Sequence, residues 1–177
     1  MAALVVYESM FGNTKRIALA IADGIATKVP VKAIEVGDAP VEVGAEVDLL
    51  VVGGPTHVHG MSSPKTRAIA KDRTSEPLVS QRFGIREWLD LAKPLVFEVH
   101  AAAFDTRING AMILTGSAAK GFAKGLRSAG FRVDEPAHSF LVASRTPPEE
   151  DALLAGQLEA ARTWGESLVA KVVPARD

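Results

Sequence analysis

Apolar positions along this chain switch between two periods, and the switching predicts strands separated by helices. Residues 4–7 are β-formers and predict a buried first strand, while Ile17, Ile21 and Ile25 mark one face of the helix that follows. Pro30 breaks that pattern, and residues 31–36 predict a short second strand. Residues 48–54 are almost continuously apolar, as in a strand covered on both faces. Ser63-Pro64 places a capping residue before a proline at the first helical position. A polar, exposed and mobile connection is expected over 71–82, then a short helix over 84–91 with Ile85, Trp88 and Leu89 inward.

A fourth strand is expected over 95–102. Ser117 caps the next helix, where Ala119, Phe122, Leu126 and Ala129 form the core stripe and Gly130 the stop. The fifth strand lies within 131–142. Thr146-Pro147-Pro148-Glu149 matches a capping box, opening a last helix with its stripe at Leu154, Leu158, Ala161, Gly165, Leu168 and Val172. There is no internal repeat and no linker, so residues 1–177 read as a single domain of the α/β class. Five strands with intervening helices predict a three-layer doubly wound sandwich. Ligands of such sheets bind at the carboxyl ends of the strands, where the winding reverses.

The turn after strand one carries the clearest chemistry. Ser9-Met10-Phe11-Gly12-Asn13-Thr14 runs straight into the first helix. The first amides of a helix lack internal partners and its macrodipole favours negative charge, so strand, polar loop and helix start together form a phosphate cradle. Ser9, Asn13 and Thr14 offer side-chain hydrogen bonds, and Gly12 allows close backbone approach. The plainer alternative is that Asn13 or Thr14 merely caps the helix.

Val5, Val6, Tyr7, Ser9, Gly12, Thr14, Ala18 and Ile21 resemble, position by position, the phosphate-loop signature of the flavodoxin family. The resemblance implies a flavodoxin-like fold, with a five-stranded parallel sheet in the order 2-1-3-4-5. It also implies non-covalently bound FMN, whose terminal phosphate would be wrapped by Ser9, Met10, Phe11, Gly12, Asn13 and Thr14.

Composition narrows the classes. The chain has no cysteine, which excludes disulfides, thiol catalysis and thiolate metal sites. No apolar run approaches the ~20 residues of a membrane span, and no signal-peptide pattern opens the chain, so a cytoplasmic protein is expected. Twenty basic against twenty-one acidic residues give no electrostatic sign of nucleic-acid binding. The flavodoxins it resembles are usually strongly acidic, so steering toward a partner would be weak here unless the charges are segregated by face.

The doubly wound topology brings two further loops to the first. Gly53-Gly54-Pro55-Thr56-His57-Val58-His59-Gly60-Met61 is a rigid, glycine-rich turn, or a simple connection. The resemblance implies that Pro55, Thr56, His57, Val58, His59 and Gly60 lie along the flavin ring, with a redox-linked peptide rotation expected between His59 and Gly60. A protonated His57 or His59 beside the reduced flavin would raise its potential. Two imidazoles two residues apart without a third ligand are a weak metal signal. The third loop is expected over 101–110, with Phe104 packed on the ring and Asp105, Thr106 and Arg107 at its pyrimidine edge; Asp105 and Arg107 equally suit a surface pair holding a turn. No Trp or Tyr stands in either ring loop, unlike the small electron carriers.

The leading reading is an FMN-binding redox protein with an unidentified redox partner, or a reductase using NAD(P)H. A flavodoxin-fold binding protein that has lost FMN is the alternative. A hydrolase with Ser9 as nucleophile would need a base such as His138, which is expected on a strand rather than in a loop. A phosphoacceptor domain needs Asp where Gly53-Gly54 stands.

Overall fold

The computed structural model describes residues 1–143 and 152–172. Strands β1 (Ala2–Tyr7), β2 (Val31–Glu35), β3 (Glu42–Val43), β4 (Val47–Pro55), β5 (Lys93–Pro94), β6 (His100–Ile108) and β7 (His138–Val142) alternate with helices. The helices are α1 (Asn13–Ala26), α2 (Pro64–Lys71), α3 (Ile85–Leu89), α4 (Met112–Thr115), α5 (Ala118–Ser128) and α6 (Gln157–Val172). Five strands form one parallel sheet in the order β2-β1-β4-β6-β7, while β3 and β5 pair separately. Counted over the main sheet alone, this is the expected 2-1-3-4-5, a doubly wound sandwich.

Strand alternation builds both outer layers. Val5 and Val51 face α1 and α6, where Ile17, Ile21 and Ile25 are fully buried. Each such side chain contributes roughly 1.5–3 kcal/mol relative to exposure. Leu4, Val6, Leu50 and Val52 face the opposite layer with Trp88, Phe122 and Leu126. Helices α1 and α6 approach closely because Gly24 and Gly165 carry no side chain. A Cβ on Gly24 would lie 2.0 Å from the Arg162 carbonyl oxygen, and one on Gly165 2.3 Å from that of Ile21.

Three expectations are corrected. The fourth strand is not 95–102 but β6, paired with β4 from Leu49↔His100 to Pro55↔Thr106. Its polar end stays in the sheet because Asp105 and Thr106 find side-chain partners. Ahead of it, Pro94 pairs with Val43, and Glu98 at φ 66° breaks the run. The connection 71–82 is not free: Leu78 and Ser80 are buried, and the Val79 and Ser80 amides donate to Met10 and Ser9 carbonyls at 3.0 and 2.8 Å. The last helix begins at Gln157, so Leu154 precedes it, and Leu153 bridges to Val142 instead. The capping box at 146–149 lies outside the described residues. The Ser63 capping box is present, with the Thr66 amide donating to Ser63 Oγ at 3.3 Å.

Candidate functional site

A cleft of about 350 Å³ opens at the carboxyl ends of β1, β4 and β6. That is within the ~300–1,000 Å³ typical of ligand sites. Met10, Phe11, Asn13 and Thr14 form one end, and Pro55, Thr56, His57 and Val58 one side. Thr66, Ile69, Ala70 and Arg73 supply a wall from α2 and the turn after it. Thr106, Arg107 and Ile108 come from the end of β6, and Val142, Ala143 and Ala152 close the far edge.

The first loop is held from several directions. Gly12 is the N-cap of α1 at φ 95°, a left-handed conformation that glycine adopts without a Cβ penalty. The first turn of α1 holds no acidic residue. Ser9 is buried and its Oγ accepts from the Lys15 amide at 3.2 Å, while its own amide donates to Ser80 Oγ at 2.9 Å. Thr14 Oγ1 bonds Thr106 Oγ1 at 2.7 Å, and Asn13 Oδ1 accepts from the Ala152 amide at 3.0 Å. These side chains therefore brace the loop from within.

Beside Ser9, Glu8 is fully buried. Its carboxylate accepts from Ser62 Oγ and, at 2.9 Å, from the Ile85 amide, while Arg67 bridges Ser62 and Glu87, each at 2.9 Å. Burial raises the Glu8 pKa, against the opposing effects of those hydrogen bonds and of Arg67. The cluster ties β1 to the loops before α2 and α3.

The second loop is a two-residue hairpin turn. His57 and Gly60 exchange both backbone bonds, at 2.8 and 3.0 Å, around Val58 at φ 44° and His59 at φ 72°. Positive φ at both central residues defines a primed turn, normally filled by Asn or Gly. A β-branched residue there is strained by roughly 1–3 kcal/mol. The left-handed residues are thus Val58 and His59, and Gly60 is the paired residue after them. His59 points away from the cleft, its Nε2 lying 2.7 Å from the Leu114 carbonyl oxygen. His57 lines the cleft, but burial and the charges of Arg67 and Arg73 lower its pKa to about 4. It is therefore neutral at pH 7, which corrects the expectation of a protonated imidazole there.

Phe104 is also corrected. It is fully buried and meets Phe140 and Trp164 edge-on at 6.1 and 6.3 Å, because its strand position points it toward the α1–α6 layer. Asp105 is equally buried. Its Oδ2 accepts from Thr56 Oγ1, Ser117 Oγ and the Ala119 amide, so it anchors the start of α5. The Arg107 guanidinium reaches inward to the Gly110 carbonyl and Thr115 Oγ1, both at 2.9 Å. Arg107 Nε and Asp105 Oδ1 are buried with no partner among the described residues. His138 stacks on Trp164 at 5.1 Å, within the aromatic cluster, and does not line the cleft.

The aromatic wall of the cleft is therefore Phe11, joined by aliphatic Met10, Val58, Ile69 and Ile108. Among the described residues no carboxylate lines the cleft, whereas Arg73 and Arg107 do. Pattern reading missed the α2 contribution, for which the alternation of Ile69 and Ala70 with Lys71 and Arg73 was the available signal. Ala143 and Ala152 carried none. An orphaned donor, two cations, apolar walls and the amide-rich start of α1 fit an anionic ligand with a flat apolar body and edge acceptors.

No protein-family model and no curated protein sequence matches the chain. Among solved structures it is similar to a flavodoxin from the domain Archaea, at 23% identity and TM-score 0.64, over 97% of this chain and 99% of that one. It is also similar to oxidised Flavodoxin 1 from Bacillus cereus, at 17% identity and TM-score 0.66, over 96% and 97%. A flavodiiron protein from Giardia intestinalis gives 19% identity and TM-score 0.60, over 97% of this chain and 36% of that one. At these identities the likeness is one of fold.

Proposed function

We propose that the cleft binds FMN and that the chain is a flavodoxin-type redox protein. The observation that carries the reading is a cleft at the carboxyl ends of β1, β4 and β6, bounded by the first turn of α1 at one end and at another by Arg107, whose Nε has no partner among the described residues. FMN, when bound, supplies the electron-transfer chemistry; the protein sets its orientation, polarity and exposure. Gly12, Asn13 and the neighbouring amides hold the phosphate, with Ser9 and Thr14 bracing the loop behind them. Met10, Phe11, Pro55 and Val58 pack on the ring system. Thr56, Thr106 and Arg107 face its polar edge, and Arg107 Nε gains the acceptor it lacks. Neutral His57 lies beside the ring without adding charge, while the strained turn at Val58-His59-Gly60 borders it.

A cytoplasmic placement is part of this reading. Two other readings stay within the test: a reductase that takes electrons from NAD(P)H, and a binding protein that has lost FMN. The internal bonds of Ser9, Asn13 and Thr14 are what favour the last. The visible spectrum of the purified protein tests the proposal. A flavin absorption band that survives gel filtration is expected, and NADPH oxidation would then mark the reductase. A colourless protein that gains no band when mixed with FMN would overturn it.

A further inference from the structure

Where β1 leaves the sheet its backbone needs new partners, because a buried amide or carbonyl left unpaired is costly. The Glu8 amide still donates to the Gly53 carbonyl at 2.9 Å. The next two residues are served from a segment far along the chain. Ser80 holds Ser9 in both directions: its amide donates to the Ser9 carbonyl at 2.8 Å, and its Oγ accepts from the Ser9 amide at 2.9 Å. The Val79 amide donates to the Met10 carbonyl at 3.0 Å, and Leu78 is buried with Met10 and Ala70. Residues 78–80 are thus a strap along the start of the loop, and none of them lines the cleft.

The strap fixes the residues from which the rest of the loop departs. Ser9 and Ser80 are both buried, so water does not stand in for either partner. Beyond them, the Phe11, Gly12 and Thr14 amides donate to no protein group among the described residues. These are the donors left for an anion at the start of α1. Thr106 and Ala152 hold the far half of the loop through Thr14 and Asn13. The near half has Ser80, whose hydroxyl can be removed without touching a backbone bond of the strap. Pro55, Thr56 and Val58 line the cleft from the end of β4 and its loop, with no hydrogen bond to the strap among the described residues.

We propose that Ser80 is a positioning residue for the anion-binding loop. By holding the Ser9 backbone it aims the amides of residues 11–14, and so sets the preference of the cleft for a phosphate ester over its dephosphorylated form. That the ester is FMN rests on the reading above; the aim of the amides does not. Ser80→Ala keeps the Ser80 and Val79 amide bonds but leaves the buried Ser9 amide without an acceptor. The start of the loop then moves to recover one, and the amides beyond it lose their common aim.

The test titrates the full chain with FMN and riboflavin, read by flavin fluorescence, and with inorganic phosphate, read by backbone amide chemical shifts. Ser80→Ala should lower the ratio of FMN to riboflavin affinity by about tenfold. It should also weaken the phosphate-induced shifts at 11–14 and speed hydrogen exchange of the Ser9 amide in the ligand-free protein. Ser80→Thr, which keeps the hydroxyl, should restore the ratio. Leu126→Ala, in a core layer that the strap does not join, should lower the urea midpoint and leave the ratio unchanged. If Ser80→Ala does not fold, Ser80→Cys carries the same comparison, because its thiol is a weak acceptor. An unchanged ratio despite faster Ser9 exchange, equal losses for both flavins, or a ratio that falls as far in Leu126→Ala would overturn the proposal. A wild type that shifts with inorganic phosphate but binds neither flavin would remove the flavin reading alone, and the proposal then stands on Ser80→Ala weakening those shifts. A wild type indifferent to phosphate and to FMN would overturn both.

Discussion

The two ends of the cleft are built on opposite principles. At the α1 end the loop is buried and internally satisfied: Ser9, Asn13 and Thr14 each spend a side chain on another backbone segment or strand. At the α4 end the surface is strained, apolar and exposed, with left-handed Val58 and outward Ile113. A group that recognises an unchanging phosphate gains from preorganisation, because little is left to order on binding. A surface that meets a partner transiently must stay accessible, and local strain is tolerated where the surrounding structure holds it. The two ends thus differ in order and exposure: one is braced from within, the other strained and open.

The largest expected effect comes from the buried group that ties β1 to the loops before α2 and α3. Glu8→Ala would leave the Ile85 amide and Ser62 Oγ without their acceptor and remove the carboxylate that faces Arg67 in a buried site. A loss of roughly 3 kcal/mol is expected in urea unfolding, in the range measured for a broken buried ion pair. A change below about 0.5 kcal/mol would mean that the loops before α2 and α3 are held to β1 without Glu8.

Next comes the charge at the α1 end. Asn13→Asp keeps the shape and suits a helix N-terminus, but places a carboxylate where the phosphate is proposed to sit. FMN affinity should fall roughly 10–100-fold, by repulsion at an intermediate effective dielectric, with riboflavin affinity nearly unchanged. Equal losses for both flavins would move the phosphate away from α1.

A smaller effect is expected from His57. Its pKa is about 4 in the folded protein against an ordinary 6.5, so the unfolded chain binds the proton more readily between those values. Stability should fall as pH drops from about 6.5 toward 4. The difference in urea midpoint between wild type and His57→Gln should shift against the wild type as pH falls through that window; parallel profiles would show that the imidazole is not held neutral. The smallest effect concerns the strained turn. Val58→Gly should raise stability by about 0.5–1 kcal/mol, because glycine occupies left-handed backbone freely. A lower thermal midpoint would mean that Val58 contributes more by contact than it costs in strain.

The same contrast explains what was legible in the sequence. The α1 end is local: strand, turn and helix follow one another, so Val5, Gly12, Thr14 and Ile17 announce it. The apolar runs showed that strands and helices alternate, while the sheet order came from the family resemblance carried by that first loop. The α4 end is assembled from afar, and local pattern misled there. Phe104 looked like a ring-facing aromatic because the strand was expected to end at 102, whereas β6 runs to Ile108 and turns Phe104 into the core. Met112 to Leu114 resemble core residues by composition, and only tertiary contacts hold them outward. His57 carried no sign of its suppressed charge, since the burial that lowers its pKa is tertiary and Arg67 and Arg73 reach it from α2 and beyond.

The central claim is that the α1 end holds the phosphate of a flavin. Parallel fluorescence titrations of the cofactor-free protein with FMN and riboflavin test it most directly. Two charge-assisted hydrogen bonds of roughly 1.5–3 kcal/mol each correspond to FMN binding tighter by about a hundredfold or more. Equal affinity for the two flavins, or no quenching of either, would contradict the account.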